Sequence, residues 1–248
     1  MPRTMLTDQH WSKLKSILRN FRIYHKQNLR NFIEAILYRI RTGCPWRDLP
    51  SSFGNCNSIF KKFSRWCKNS NLLNIFKLLA SEADLEWVFV DGTHVRAHQH
   101  ATGIKDQDIS KSIGGNSSKI HLAVDANGNP FEFIISDGTT HDLKVAPDLI
   151  KLFSLENTVS VSGDKGYDSE ELREQIRKSG AQANIPKKGN TKSNNDHMDW
   201  YLYKIRHLVE NTFARLKHFR GIAKRFDKLK RNYAGAVALS CIYIWIPL

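Results

Sequence analysis

Tyr203, Arg206, Glu210 and Lys217 have the types and intervals that could manage phosphate chemistry. On a helix that turns about 100° per residue, all four fall within roughly 60° of one another. Ile205, Leu208, Val209, Thr212, Phe213, Leu216 and Phe219 take the other side, as the apolar face of a helix packed on a core does. A carboxylate ligates a hard cation such as Mg²⁺, and Arg, Lys and Tyr beside it grip phosphate oxygens. The same stripe also suits a solvated helix face on which Arg206 and Glu210 form an i,i+4 pair worth about 0.3 kcal/mol. The stripe alone does not choose between the two.

Two aspartates upstream tip the balance. Residues 87–90, Trp-Val-Phe-Val, make the wholly apolar run of a strand buried on both faces, and Asp91 follows it. A second short strand over 159–161 precedes Asp164 in the same way. A carboxylate at the mouth of a buried strand is poorly placed for packing and well placed for catalysis or metal. Asp168, with Glu171 three residues on, reads as the capping box of a helix over 169–179, and Asp125 sits beside the turn signal Ala-Asn-Gly-Asn at 126–129. Asp164 has no such local employment. Neighbouring strands lie about 5 Å apart, so two strand-end aspartates can converge while a helix across the sheet brings Glu210. Oxygen-only ligation suits Mg²⁺ or Mn²⁺, and two such ions roughly 4 Å apart can serve an in-line phosphodiester displacement.

The elements that must position these groups follow from periodicity. Thr7 can cap a first helix carrying Trp11, Leu14 and Leu18, and a second over 28–41 is ended by Gly43 and Pro45. A third over 56–68 points Ile59, Phe60, Phe63, Trp66 and Cys67 inward and Lys61, Lys62, Arg65 and Lys68 outward; a short fourth covers 72–79. Helix, glycine-containing turn and basic helix fit a helix-turn-helix as well as a plain helical bundle. From residue 85 the pattern changes to a strand, a polar loop whose His94, His98 and His100 suit a transition-metal site less well than an incidental cluster, a hairpin over 119–125 and 130–136, a helix over 143–153 with His141-Asp142 either flanking the site or, more simply, as its cap, the second strand, the 169–179 helix and a last strand at 183–185. A polar loop over 187–197 leads into the long helix from about residue 199, and residues 234–248 make an apolar core helix. Such alternation implies a mixed central sheet with helices on its faces.

Composition points the same way. The 248-residue chain carries 38 Lys and Arg against 24 Asp and Glu, a formal net charge of +14, which favours a polyanion partner, nucleic acid first. The basic residues are densest over 215–231, so Arg215 and Arg220 join Lys61, Lys62 and Arg65 as candidate DNA contacts. Cys44, Cys56, Cys67 and Cys241 form no CxxC pair, so neither a zinc site nor a disulfide framework is expected, and a reducing cytosol fits. The first residues hold no apolar signal region and no apolar run approaches membrane-spanning length.

At these positions the sequence resembles the DDE-type transposases of bacterial insertion sequences, in the branch marked by Y-x2-R-x3-E-x6-K. Tyr203, Arg206, Glu210 and Lys217 match every position and interval of that signature. Val90-Asp91-Gly92-Thr93 and the block 163–168 are similar to the segments around the family's two aspartates, and residues 43–50, Phe53-Gly54 and 117–121 are similar to segments of the insertion-sequence-five group. The resemblance implies a ribonuclease-H-like catalytic domain over 83–248 and an all-α, helix-turn-helix-like DNA-binding domain over 1–82. It implies a DNA transferase in which Asp91, Asp164 and Glu210 hold Mg²⁺ or Mn²⁺, two ions in all, while Tyr203, Arg206 and Lys217 contact phosphates at the transposon end. The implied partners are double-stranded DNA, as terminal inverted repeats and as target, and a second copy of the chain. A nucleoid-associated protein of the bacterial cytoplasm with no membrane partner follows. Only 45 residues separate Asp164 from Glu210, so the large insertion domain of some relatives is absent. Two rivals stay open: a ribonuclease-H-like nuclease without strand transfer, and a catalytically silent DNA-binding regulator.

Overall fold

The computed structural model describes residues 2–23, 28–189 and 194–247, so positions 190–193 of the expected polar loop lie outside the described residues. In chain order the helices are α1 (Asp8–Asn20), α2 (Leu29–Thr42), α3 (Cys56–Lys68), α4 (Asn71–Ala80), α5 (Asp142–Ile150), α6 (Glu170–Lys178), α7 (Trp200–Ile205), α8 (His207–Lys217), α9 (Arg220–Ala223) and α10 (Lys230–Trp245). The strands are β1 (Trp87–Ala97), β2 (Ser110–Ser112), β3 (Gly115–Val124), β4 (Pro130–Asp137), β5 (Ser160–Ser162), β6 (Gln182–Asn184) and β7 (Lys224–Arg225). Among the described residues no helix is long and apolar enough to cross a membrane.

The chain divides into two compact units. The first gathers Met1–Leu79, Arg96–Gln107 and Arg215–Leu248. Its α1 starts where the Thr7 hydroxyl accepts the His10 N–H at 3.1 Å, satisfying one orphan donor of the first turn. α2 buries Phe32, Ile33, Ile36, Leu37 and Ile40 on its apolar face. Glu34 is buried with them because its carboxylate accepts the backbone N–H groups of Met5, at 2.7 Å, and Leu6, at 2.9 Å. α10 is buried almost all round, as the core-helix expectation requires. The α3 expectation needs two corrections. Phe60 is 38% exposed rather than inward, resting beside Trp46. Lys62 is half-buried, with its ammonium 4.1 Å from the centre of the Phe32 ring, so a cation–π contact draws it off the basic face that Lys61, Arg65 and Lys68 keep.

The second unit gathers Ala80–Val95 and Asp108–Ala214. The strand order is β2-β3-β1-β5-β6, with β4 paired to β3. β1, β5 and β6 run parallel, while β3 and β4 form the expected antiparallel hairpin, so the sheet is mixed. Val88, Val90, Val161, Leu149, Leu172, Ile176 and Ile185 form the core between the sheet and the flanking α5 and α6. At the hairpin turn Asp125 accepts the N–H groups of Asn127, at 2.9 Å, and Asn129, at 2.7 Å, and Gly128 takes a φ of 77°. The Thr212 hydroxyl on α8 donates to the Gly128 carbonyl, which ties α8 to the hairpin.

β1 departs from the expectation of a strand ending before Asp91. It runs on to Ala97, so Asp91 sits inside the strand. The reason lies in its pairing. Residues 87–89 pair with β5, and Arg96 and Ala97 pair with β7 inside the first unit. The intervening polar residues stay extended without the apolar pattern that marks a strand in sequence.

Candidate active site

Asp91 is held by two donors. Its Oδ1 accepts the Gly92 N–H at 2.8 Å, and its Oδ2 accepts from the Arg206 guanidinium at 3.2 Å. The other guanidinium nitrogen of Arg206 donates to Glu210 Oε1 at 2.6 Å. One guanidinium therefore bridges two carboxylates of the predicted triad. Burial, followed by the negative charges of Asp164 and Asp142, raises the Asp91 carboxyl above its ordinary value, against the Gly92 N–H and Arg206. Burial opposes the charge of Arg206, yet Asp91 and Glu210 hold its proton more tightly than usual.

Asp164 follows β5 and, contrary to expectation, has a local role. Its Oδ1 accepts the Gly166 N–H at 2.7 Å and caps the short 3₁₀ turn Lys165–Tyr167. It opens onto a cleft of about 370 Å³ shared with Lys165 and Lys188. Tyr167 is buried beneath, its hydroxyl without a hydrogen-bond partner among the described residues. Burial, and then the charges of Asp142, Asp91 and Asp164, push that phenol well above its ordinary value. A single phenol thus lies within electrostatic reach of three aspartates. Asp168 does not cap α6; Ser169 does, while Asp168 accepts from Arg173 at 2.8 Å and from the Lys188 N–H at 2.7 Å. The buried Arg173 needs that counter-charge.

The long helix expected from residue 199 is broken at Arg206. α7 ends at Ile205 and α8 begins at His207, and around the break Arg206 bonds back to Tyr203 and Val209 to Arg206, each across three residues instead of four. The stripe survives in part, since Arg206 still reaches Glu210 and lies 5.8 Å from the centre of the Tyr203 ring. Lys217, Arg215 and Arg220 are exposed and belong to the first unit, as do the exposed Lys61 and Arg65.

A fourth carboxylate appears at Asp142, where a helix cap was the simpler of two expectations. Asp142 Oδ2 accepts from Lys119 Nζ at 2.6 Å, and its Oδ1 lies 3.1 Å from His121 Nδ1, close but not aligned as a hydrogen bond. The far nitrogen of His121 meets the Ser136 hydroxyl at 2.8 Å. Lys119 and His121 are both buried. A Cβ at Gly92 would run into the Asp142 carboxylate and the Lys119 chain, so glycine lets β1 lie against this network without displacing them. The signal in sequence is faint: polar Lys119 and His121 alternate with apolar Ile120 and Leu122, placing them on one face of β3.

Asp142 also gives the site a pH dependence. Burial raises its pKa, but the close approach and charges of His121 and Lys119 prevail and hold it at about 2, below the ordinary 3.8. A depressed carboxylate contributes stability that is full above about pH 4 and lost as pH falls towards 2, here about 2 kcal/mol. Urea unfolding at pH 5 should show Asp142→Asn less stable than the native chain, and the gap should narrow by pH 2.5; a gap independent of pH would refute the assignment.

Among the described residues no three Asp, Glu, His or Cys side chains, His94 (which lies in β1), His98 and His100 included, converge into a group that could hold a metal ion. The donor chemistry around Arg206 nonetheless fits a hard cation: carboxylate oxygens from separate elements, two of them already drawn to one positive charge.

Residues 82–245 match the family model described as "Transposase DDE domain", and residues 6–76 match that described as "Putative transposase of IS4/5 family". The chain belongs to the DDE transposase family. Within it, the chain is 36% identical over 131 residues to the "Putative transposase for insertion sequence element IS6501" of Brucella ovis, covering 52% of this chain and 98% of that one. It is 32% identical over 124 residues to "Uncharacterized protein y4sN" of Sinorhizobium fredii, covering 49% and 95%. The IS402 relative of Burkholderia cepacia is 30% identical over 136 residues, covering 51% and 62%.

Proposed function

We propose that this DDE-family chain binds the terminal inverted repeats of an insertion sequence, cuts DNA there and joins the freed end to target DNA. The observation that carries the reading is the bridge made by Arg206, which joins Glu210 to Asp91, an aspartate 115 residues before Arg206 in sequence. Asp164 acts electrostatically on both Arg206 and Asp91. Asp91, Asp164 and Glu210 are the residues that would hold Mg²⁺ or Mn²⁺, two ions, which when bound supply an activated oxygen and stabilise the leaving one.

This chain's own groups do the positioning. Gly92 and Gly166 N–H groups orient the two aspartates, and Arg206 offsets their mutual repulsion and presents a planar fork to a phosphate. Tyr203 and Lys217 contact further phosphates at the transposon end. A ribonuclease-H-like catalytic domain over 83–248 is supported by an antiparallel hairpin beside β1 and parallel strands on its other side. A DNA-binding domain over 1–82 is supported by the exposed basic residues of α3. Action as a homodimer at the nucleoid, in the bacterial cytoplasm, completes the reading.

The test supplies a labelled terminal repeat, an unlabelled target duplex and Mg²⁺, and maps the products. Cleavage at the repeat end with joining to the target is expected. Cleavage without joining would leave the nuclease reading, and no metal-dependent product would leave the silent regulator.

A further inference from the structure

The first unit contains a cleft of about 790 Å³ whose walls carry Arg3, Arg41, Arg215, His218 and Arg220 and, among the described residues, no carboxylate side chain. All five side chains are exposed, and no ion pair or side-chain hydrogen bond involves the four arginines among the described residues. Cations gathered in a concavity repel one another, more so as water is excluded. Arg41 and Arg215 have a local reason to be there, in the last turns of α2 and α8, where the helix dipole favours positive charge. That reason does not extend to Arg3 or to Arg220, which begins α9.

The cleft is held in shape. Glu34 fixes the Met5 and Leu6 backbone, and the Tyr243 hydroxyl donates to the Met5 carbonyl at 3.3 Å, so the segment bearing Arg3 is pinned to α10. The Phe219 ring meets Tyr243 edge-on at 5.7 Å, which fixes the turn between Arg215 and Arg220. The charged groups are guanidiniums, whose fork matches phosphate oxygens two at a time, with no lysine among them.

We propose that this cleft binds the sugar-phosphate backbone of duplex DNA, with successive phosphates of one strand along Arg3, Arg41, Arg215 and Arg220. The proposal rests on the reading of the chain as a DNA-processing enzyme and adds a site that the catalytic acids do not require. The test is fluorescence anisotropy with the full chain and a labelled 30-base-pair duplex, without divalent metal, across a salt series. For Arg41→Gln/Arg220→Gln the expected result is binding weakened roughly tenfold at 0.15 M salt and a logarithmic salt slope shallower by about 2, one for each phosphate no longer neutralised. Lys178→Gln, an exposed lysine on α6, should leave both unchanged. Arg3→Gln, outside any helix, gives a second reading should the double variant fold poorly, with a slope shallower by about 1. Native affinity and native slope in a folded double variant, or in Arg3→Gln if the double variant does not fold, overturn the proposal while leaving the catalytic reading intact. A native chain that binds no duplex overturns both. Equal competition by a polyglutamate of matched charge assigns the cleft to acidic peptides instead and likewise overturns it.

Discussion

Asp91→Asn is expected to abolish metal-dependent cleavage, by roughly a thousandfold or about 4 kcal/mol of barrier, while duplex binding stays within about twofold. Asparagine keeps the size of the side chain and an oxygen for the Gly92 N–H, so the local backbone has no reason to move. It removes the charge that Arg206 and a divalent cation would share. The neutral amide also relieves repulsion from Asp164 and Asp142, so the variant should be no less stable than the native chain. Single-turnover cleavage of a labelled terminal repeat, paired with anisotropy and a thermal melt, separates the three quantities. Native cleavage rates in the variant would remove Asp91 from the chemistry.

Lys119→Met should produce the largest fall in stability, about 3–5 kcal/mol, because it strands the Asp142 carboxylate in a largely buried setting. The lysine side chain is 8% exposed and the aspartate 22%, and their 2.6 Å approach is the closest that Asp142 makes. For a chain of this length such a change lowers the thermal midpoint by roughly 10 °C. Methionine keeps the length of the stem, so the effect is one of charge rather than cavity. The double variant Lys119→Met/Asp142→Asn should recover a substantial part of that stability, since no unpaired charge remains. An additive double variant, or a single variant with the native midpoint, would show that the pair does not support the strand beneath Asp91.

Much of this architecture was legible because its causes are local. Thr7 and Gly43 bound helices whose apolar spacing is regular, and the Asn-Gly turn announces the β3–β4 hairpin. Asp91, Asp164 and Glu210 stood out because their spacing and flanking residues form recognisable blocks. What escaped depends on partners distant in sequence. Lys119 and His121 read as polar interruptions of a strand until Asp142 is seen to supply the counter-charge of Lys119 and to lie beside His121. The second half of β1 has no apolar alternation, since its end pairs with β7, more than a hundred residues downstream. The break at Arg206 leaves no mark in composition, because every residue around it is an acceptable helix former. Asp168 fitted a capping box by pattern, and only the buried Arg173 reveals its other employment.

The close approach at Gly92 has an evolutionary consequence. Even a methyl group there would claim space held by the Asp142 carboxylate, so any larger neighbour of Asp91 requires the Asp142 and Lys119 side chains to shift or to change with it. Drift through this region is therefore coupled across the three positions, and a saturation library at position 92 should tolerate larger residues better in an Asp142→Ala background than alone.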